Sequence, residues 1–308
     1  MNKIWVTGDA VVDLIPDGEY HYLKCAGGAP ANVAVGVTRL GVPAGFIGRV
    51  GKDPIGEFMK QTLQKERVNT DHMILDPEHR TSTSVVGLDN GERSFTFMVN
   101  PSADQFLQVS DLPHFNAGEW LHCCSIALIN NPSRETTFEA IRRIKAAKGF
   151  FSFDPNLRES LWNSPAEMKT VVMQAVALAD VLKFSEEELT LLTETESLEK
   201  AFDKITALYP EKLIIVTMGK DGALYHLNGR KATVKGKTLQ PVDTTGAGDA
   251  FVSGLLAGLS YHPNDWRQID VLEQIIRQAN ASGALACTAK GAMAALPNQA
   301  ELQAFLAE

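Results

Sequence analysis

Two hydrophobic periodicities alternate along this chain. Short apolar runs recur at 120–124, 150–154, 181–184 and 213–217. Between them lie stretches with helical spacing, at 132–148, at 165–179 and, with breaks, at 187–208. Strands buried on both faces read as continuous apolar runs, and their alternation with helices predicts a mostly parallel sheet covered on both sides. The N-terminal part opens in the same manner, with a strand at 4–8 and another at 45–48. A helix is expected over 28–41, where Ala31, Val33, Ala34, Val37 and Leu40 recur on one face, and an amphipathic helix over 55–67. A long helix over 271–288 marks the C-terminal third.

Two hairpin patterns interrupt this rhythm. Residues 11–24 alternate around Pro16-Asp17-Gly18. Residues 84–88 and 94–99 flank Asp89-Asn90-Gly91-Glu92, a hairpin-turn signal. Isolated hairpins are marginal in water, so the two together predict a small sheet packed over one end of the core. The expected organisation is therefore an α/β protein in two parts. Residues 1–12, 28–80 and 105–308 form a three-layer α/β/α core, and 13–27 and 81–104 form a β lid.

Bulk properties exclude several classes of function. The formal charge of −8 and pI near 5.5 argue against a basic nucleic-acid surface. No apolar run approaches the ~20 residues of a membrane span. Residues 1–6 lack the apolar core of a signal peptide and read as an immediate strand. Cys25, Cys123, Cys124 and Cys287 have no metal-ligand spacing, and reduced thiols in the cytoplasm are the expectation. Cys25 reads as a packing residue.

The chemistry concentrates in Asp243-Thr244-Thr245-Gly246-Ala247-Gly248-Asp249-Ala250-Phe251, which runs into an apolar helical stretch at 252–259. A small-residue turn at a helix N-terminus presents unpaired N–H groups, and the helix dipole adds positive charge there. Such a turn holds an anion, most often phosphate. Helix capping alone would need neither three small residues nor a second aspartate. A carboxylate beside a bound phosphate suits a base that takes the proton from an attacking hydroxyl, so Asp249 suggests phosphoryl transfer to an alcohol. A second landmark is Gly27-Gly28-Ala29-Pro30-Ala31-Asn32, where the first hairpin returns to the core. Its glycines let backbone approach a ligand, and Asn32 offers both a donor and an acceptor.

With both landmarks in order and widely separated, the chain resembles the ribokinase-like (PfkB) carbohydrate kinase family over essentially its full length. GGAPANVAVGVTRLG is similar to the family's N-terminal signature and DTTGAGDAFVSGLL to its C-terminal one. Within the family, the bacterial fructokinases are most similar, on WVTGDAVVDLIPDG, FIGRVGKDPIGEFM, RTSTSVVGLDNGERSFTFMVNPSAD, FSFDPNLRESLW, LKFSEEEL and TAKGAMAALP. Aminoimidazole riboside kinases have a very similar pattern.

The resemblance implies an ATP-dependent sugar kinase with D-fructose as the leading acceptor. Aminoimidazole riboside, 2-keto-3-deoxygluconate and a catalytically silent sugar-binding regulator are the alternatives. Asp9, Asp13, Gly28, Asn32, Asn156 and Arg158 would contact the sugar between core and lid, and Phe97 or Met98 would cover it. Arg158 would also meet the transferred phosphate. Asn100 stands where these fructokinases often have arginine, which leaves its role open. Asp249 would be the base, with Gly246, Ala247 and Gly248 holding the developing charge. Thr217, Gly219, Lys220 and Gly222 would border the ATP phosphates and ribose, Lys183 the phosphates, and Asn280 the adenine. Ser185 and Glu188 occupy a family Asn-x-x-Glu motif that organises Mg2+ through water, with serine in place of asparagine. Asp243, Thr245, Ala286, Ala289 and Gly291 match a K+ site built mostly of carbonyls. Pairing of lid strands would make a homodimer. A Rossmann dehydrogenase does not fit, because Thr7-Gly8-Asp9-Ala10 leads into no G-x-G-x-x-G and no helix.

Overall fold

The computed structural model describes residues 1–89, 92–98, 101–237 and 239–307, with backbone only at 88–89 and 92–95. In chain order its first half holds β1 (Ile4–Thr7), β2 (Val11–Pro16), β3 (Tyr22–Gly27), α1 (Ala29–Arg39), β4 (Ala44–Gly51), α2 (Pro54–Lys65), β5 (Met73–Asp76), β6 (Thr83–Asp89), β7 (Glu92–Met98), β8 (Trp120–Cys124) and α3 (Ser133–Ala146). The second half holds β9 (Phe150–Asp154), α4 (Pro165–Leu178), β10 (Val181–Ser185), α5 (Glu186–Thr193), α6 (Leu198–Leu208), β11 (Leu213–Thr217), β12 (Ala223–Leu227), β13 (Arg230–Val234), α7 (Ala247–Tyr261), α8 (Ile269–Ala286) and α9 (Gln299–Ala307).

The large sheet has the order β13-β12-β11-β10-β9-β8-β1-β4-β5. It is parallel from β11 to β5, and β12 and β13 add antiparallel strands at one edge. Strand alternation sorts the core into two layers. Ile4 and Val6 of β1, Val181 of β10, and Leu213 and Ile215 of β11 pack in one cluster, with residues of α1, α2, α7, α8 and α9. Trp5, Leu182, Phe184, Ile214 and Val216 point the other way, into a cluster with α3, α4, α5 and α6. The sheet is thus buried on both faces, as continuous apolar strands require.

Local signals set the helix ends. Asp53 caps α2 by accepting from the N–H groups of Ile55 and Gly56, with Pro54 at the first helical position. The helical pattern at 187–208 is two helices, because Glu194 turns left-handed and Ser197 caps a new start. Helix α7 lies unusually close to its neighbours. A Cβ on Gly36 of α1 would sit 2.3 Å from Ser253 Oγ, and one on Gly254 would sit 2.9 Å from Ala279 Cα of α8.

The small sheet has the order β3-β2-β6-β7. Each expected hairpin is present and antiparallel. They join through a parallel pairing of β2 with β6, Val12 opposite Thr83 and Asp13 opposite Ser84. The expected turn residues Asn90 and Gly91, and also Val99 and Asn100, fall outside the described residues. The hydrophobic pattern did not call for β5, β12, β13 or α9. Residues 217–222 turn β11 into the antiparallel β12.

Candidate active site

A cavity of about 470 Å3 opens where the C-terminal ends of β1, β8, β9 and β10 meet the N-termini of α1 and α7. Crevices at strand C-termini are the usual ligand sites of open α/β sheets. Asp9 and Asp13 line it from the β1–β2 segment, Gly28 and Asn32 from the start of α1, and Phe97 from β7. Strand geometry sends adjacent side chains to opposite faces, so Met98 points away and is 61% exposed. Of that pair, Phe97 alone reaches the cavity. Gly28 has φ 94, and a Cβ there would press to 3.0 Å on the Asp9 carbonyl and the Val11 N–H. Only glycine fits this turn without strain.

The Asp249 carboxylate stands at the cavity's inner wall, 7% exposed. Asn32 Nδ2 donates to its Oδ2 at 2.8 Å, and Asn156 Nδ2 approaches its Oδ1 at 3.4 Å. Among the described residues Asn32 Oδ1 is buried and has no partner, so it can accept from a ligand. Burial raises the Asp249 carboxyl above the usual carboxylate range, opposed by Asn32 and by the charges of Lys183 and Arg158. A raised value strengthens a base. Asp9 is pushed up to about 7, chiefly by burial and then by the charge of Asp104.

The turn before α7 is shaped to present N–H groups. Gly246 caps the helix in the left-handed region at φ 82, and a Cβ there would collide with Ala292. Ala247 N–H donates to Thr244 O and so closes the turn itself. Among the described residues, the N–H groups of Gly248 and Asp249 have no backbone acceptor. Lys183 lies within β10, and a Cβ on Gly248 would be 3.5 Å from Lys183 Nζ. The ammonium therefore overhangs the turn, forming a pocket for an anion beside a carboxylate.

Residues 1–299 match the pfkB family of carbohydrate kinases. The chain belongs to that family. It is 56% identical, over the full length of both chains, to a fructokinase of Vibrio alginolyticus. It is 43% identical to an aminoimidazole riboside kinase of Salmonella typhimurium, covering 99% of this chain and 95% of the relative. The crystal structure of fructokinase from Vibrio cholerae O395 in fructose, ADP and calcium ion bound form superposes with a TM-score of 0.94, at 58% identity and 99% coverage of both chains.

The remaining site residues of this carbohydrate kinase fall into three groups. Arg158, exposed at the rim, donates to the carbonyls of Leu157 and Asn156. Glu188 Oε1 accepts from Leu157 N–H, while its Oε2 and the Ser185 hydroxyl cap α5 reciprocally. Thr217, Gly219, Lys220, Gly222 and Asn280 do not line the cavity; Thr217 lies opposite the cavity residue Ser185 across β10 and β11 and begins a shelf that the next contacts define. Gly222 packs against Val234 O, and Asn280 Nδ2 donates to the same carbonyl. One turn along α8, Gly283 lies against Ala247 O, which joins the shelf to the anion turn.

The third group surrounds Asp243. Its Oδ1 accepts from Thr245 N–H and Oγ1, and its Oδ2 accepts from Gly291 N–H. Cys287 O, between Ala286 and Ala289, accepts from Val242 and Asp243 N–H. Two loops are thereby stapled together just before the anion turn. Among the described residues no cluster of three His, Cys, Asp or Glu side chains could hold a metal.

Asp154, Asp104 and Cys124 were not anticipated as site residues. Cys124, Ile126, Leu161 and Ala292 complete the cavity wall with ordinary apolar character. Asp154 ends the apolar strand β9 and pairs with Lys183 in β10. Two charges at the same end of adjacent apolar strands were the signal that could have found it.

Proposed function

We propose that this kinase transfers the γ-phosphate of ATP to the C6 primary hydroxyl of D-fructose, giving D-fructose 6-phosphate and ADP. The observation that carries the proposal is the Asp249 carboxylate, held by Asn32 on the acceptor side and set directly before the free N–H groups of the anion turn. The higher identity to a fructokinase than to an aminoimidazole riboside kinase supports fructose over the riboside.

In this reading Asp9, Asp13, Gly28, Asn32 and Asn156 bind the sugar hydroxyls, and Phe97 covers the ring. Asp249 takes the proton from the attacking hydroxyl. Gly246 and Gly248, with the Asp249 N–H, hold the developing charge; Ala247 shapes the turn. Lys183 and Arg158 carry positive charge to the transferred phosphate. Thr217, Gly219, Lys220, Gly222 and Asn280 border the nucleotide on the shelf. Magnesium supplied with ATP neutralises charge on the β- and γ-phosphates. Glu188 fits a water-mediated partner for it, since a carboxylate that accepts two N–H groups keeps further lone pairs. A potassium ion fits the carbonyl-rich loops at Asp243, Thr245, Ala286, Ala289 and Gly291, where the Asp243 charge is already fixed. The small sheet, 13–27 with 81–104, serves as the lid over the core. Its exposed Tyr20, Tyr22, Leu23 and Met98 suit pairing with a second copy, giving a homodimer. Among the described residues no helix is long and apolar enough to cross a membrane, and the cytoplasm is the proposed location.

The test is ATP-dependent phosphorylation across fructose, other hexoses, 2-keto-3-deoxygluconate and aminoimidazole riboside. Fructose should give the highest kcat/KM. Turnover of the riboside without fructose would replace the acceptor. Sugar binding with no ATP consumption would make the protein a regulator.

A further inference from the structure

A buried ion pair lies behind the anion turn. Lys183 Nζ and Asp154 Oδ2 are 3.0 Å apart, and both residues are buried. Asp154 ends β9 and Lys183 lies mid-way along β10, which pairs with β9 in parallel. Removing two charges from water costs free energy that their attraction offsets only in part, so apolar residues could fill this place as stably. The arrangement around Asp154 points to a different use. Its Oδ2 holds Lys183, whose ammonium overhangs Gly248. Its Oδ1 accepts from the backbone N–H of Asn156 at 3.2 Å. That contact braces a turn in which Asn156 is left-handed at φ 42, and the turn aims the Asn156 amide at Asp249. Burial alone would lower the Lys183 ammonium, but the charges of Asp154 and Glu188 reverse this and raise it. The lysine stays charged, as a phosphate partner must.

We propose that Asp154 is a positioning residue for phosphoryl transfer, fixing Lys183 over the anion turn with one oxygen and orienting the Asn156 contact to Asp249 with the other. The inference rests on the reading of Asp249 as base and of the turn as phosphate site. Asparagine at 154 cannot serve both arms, because its amide nitrogen accepts no hydrogen bond.

The experiment compares wild type, Asp154→Asn, Lys183→Met and the double variant by kcat, by fructose Kd and by Mg-ADP Kd. Asp154→Asn should lower kcat by about 10- to 100-fold, the loss expected for a charged hydrogen bond. Fructose Kd should rise far less than kcat falls, since Asn156 is one of five residues placed at the sugar and the lysine arm meets none of it. In the Lys183→Met background the same substitution should cost much less, for kcat and for Mg-ADP Kd alike, because one arm is already gone. Equal losses in both backgrounds, or fructose Kd rising in step with the fall in kcat, would overturn the proposal. A wild type that phosphorylates no sugar would remove the functional reading, while the Mg-ADP cycle would still decide on Asp154. If Asp154→Asn does not fold, Asn156→Ala keeps the backbone N–H that Asp154 accepts but removes the side-chain contact to Asp249 that this arm orients. It should lower kcat and leave Mg-ADP Kd unchanged; an unchanged kcat would overturn the proposal.

Discussion

Asn32 Nδ2 donates to Asp249 Oδ2 at 2.8 Å across 217 residues of sequence. The bond ties the first helix turn of the GGAPAN segment to the first turn of α7. It orients the carboxylate that faces the turn before α7, and among the described residues it leaves Asn32 Oδ1 in the cavity wall without a partner.

Asp249→Asn should lower kcat by roughly 10²-fold or more while ATP affinity stays within a small factor. An amide at 249 has one acceptor oxygen for the two amide donors of Asn32 and Asn156, so fructose affinity should weaken slightly as well. Steady-state kinetics with isothermal titration checks both. Near-wild-type turnover would end the assignment of Asp249 as base.

Phe97 and Met98 should differ sharply although they are neighbours. Phe97→Ala is expected to raise the KM for fructose roughly tenfold through lost apolar cover, and Met98→Ala to leave it unchanged. Equal effects of the two substitutions on KM would contradict the placement of β7.

Asp9 gives a pH signature. Its folded value, about 7, lies above the ordinary 3.8, so the folded state binds that proton more tightly than the unfolded chain. The stability it contributes is present below pH 4 and is lost as pH rises through 7. Asp104, Asp13 and Arg158 are the charges acting on it. Asp9→Asn should therefore flatten the fall of Tm between pH 5 and 8. The variant should melt closer to wild type, or above it, at pH 8 than at pH 5. Parallel Tm curves for the two proteins would refute the buried-carboxyl account.

Potassium should activate the enzyme and raise its Tm relative to sodium at equal ionic strength, since an ion on the Asp243 loops binds only the folded state. Asp243→Asn should abolish the difference in Tm. Equal rates in carefully potassium-free buffer would refute the site.

The parts of the fold that were legible share one trait: their signal is local. Continuous apolar strands and helices with one apolar face announce themselves within a dozen residues, and so did the turns at 27–32 and 243–251. The parallel pairing of β2 with β6 joins segments some seventy positions apart, and no local pattern encodes it. Strand β13 escaped notice because it is the sheet edge, where Arg230, Lys231 and Thr233 face solvent and break the apolar run. Asp154 was hidden for a related reason. Its partner Lys183 lies in another strand, and the pair has meaning only once β9 and β10 are side by side. The role of Ala247 could not be read either, because donors of a tight turn are chemically alike until the 244-to-247 closure assigns one of them.

The close seam of α7 against α1 and α8 has a mechanical consequence. With Gly36 against Ser253 and Gly254 against Ala279, the three helices have no room to slide. The acceptor turn and the phosphate turn are thus mounted on one stiff chassis, and the span between them is built in rather than set by whichever ligand arrives first. In the proposed reading the small sheet is the lid, and it is hydrogen-bonded apart from that seam. A change of acceptor could then be accommodated by retooling that cover alone, with the transfer machinery beneath it left undisturbed.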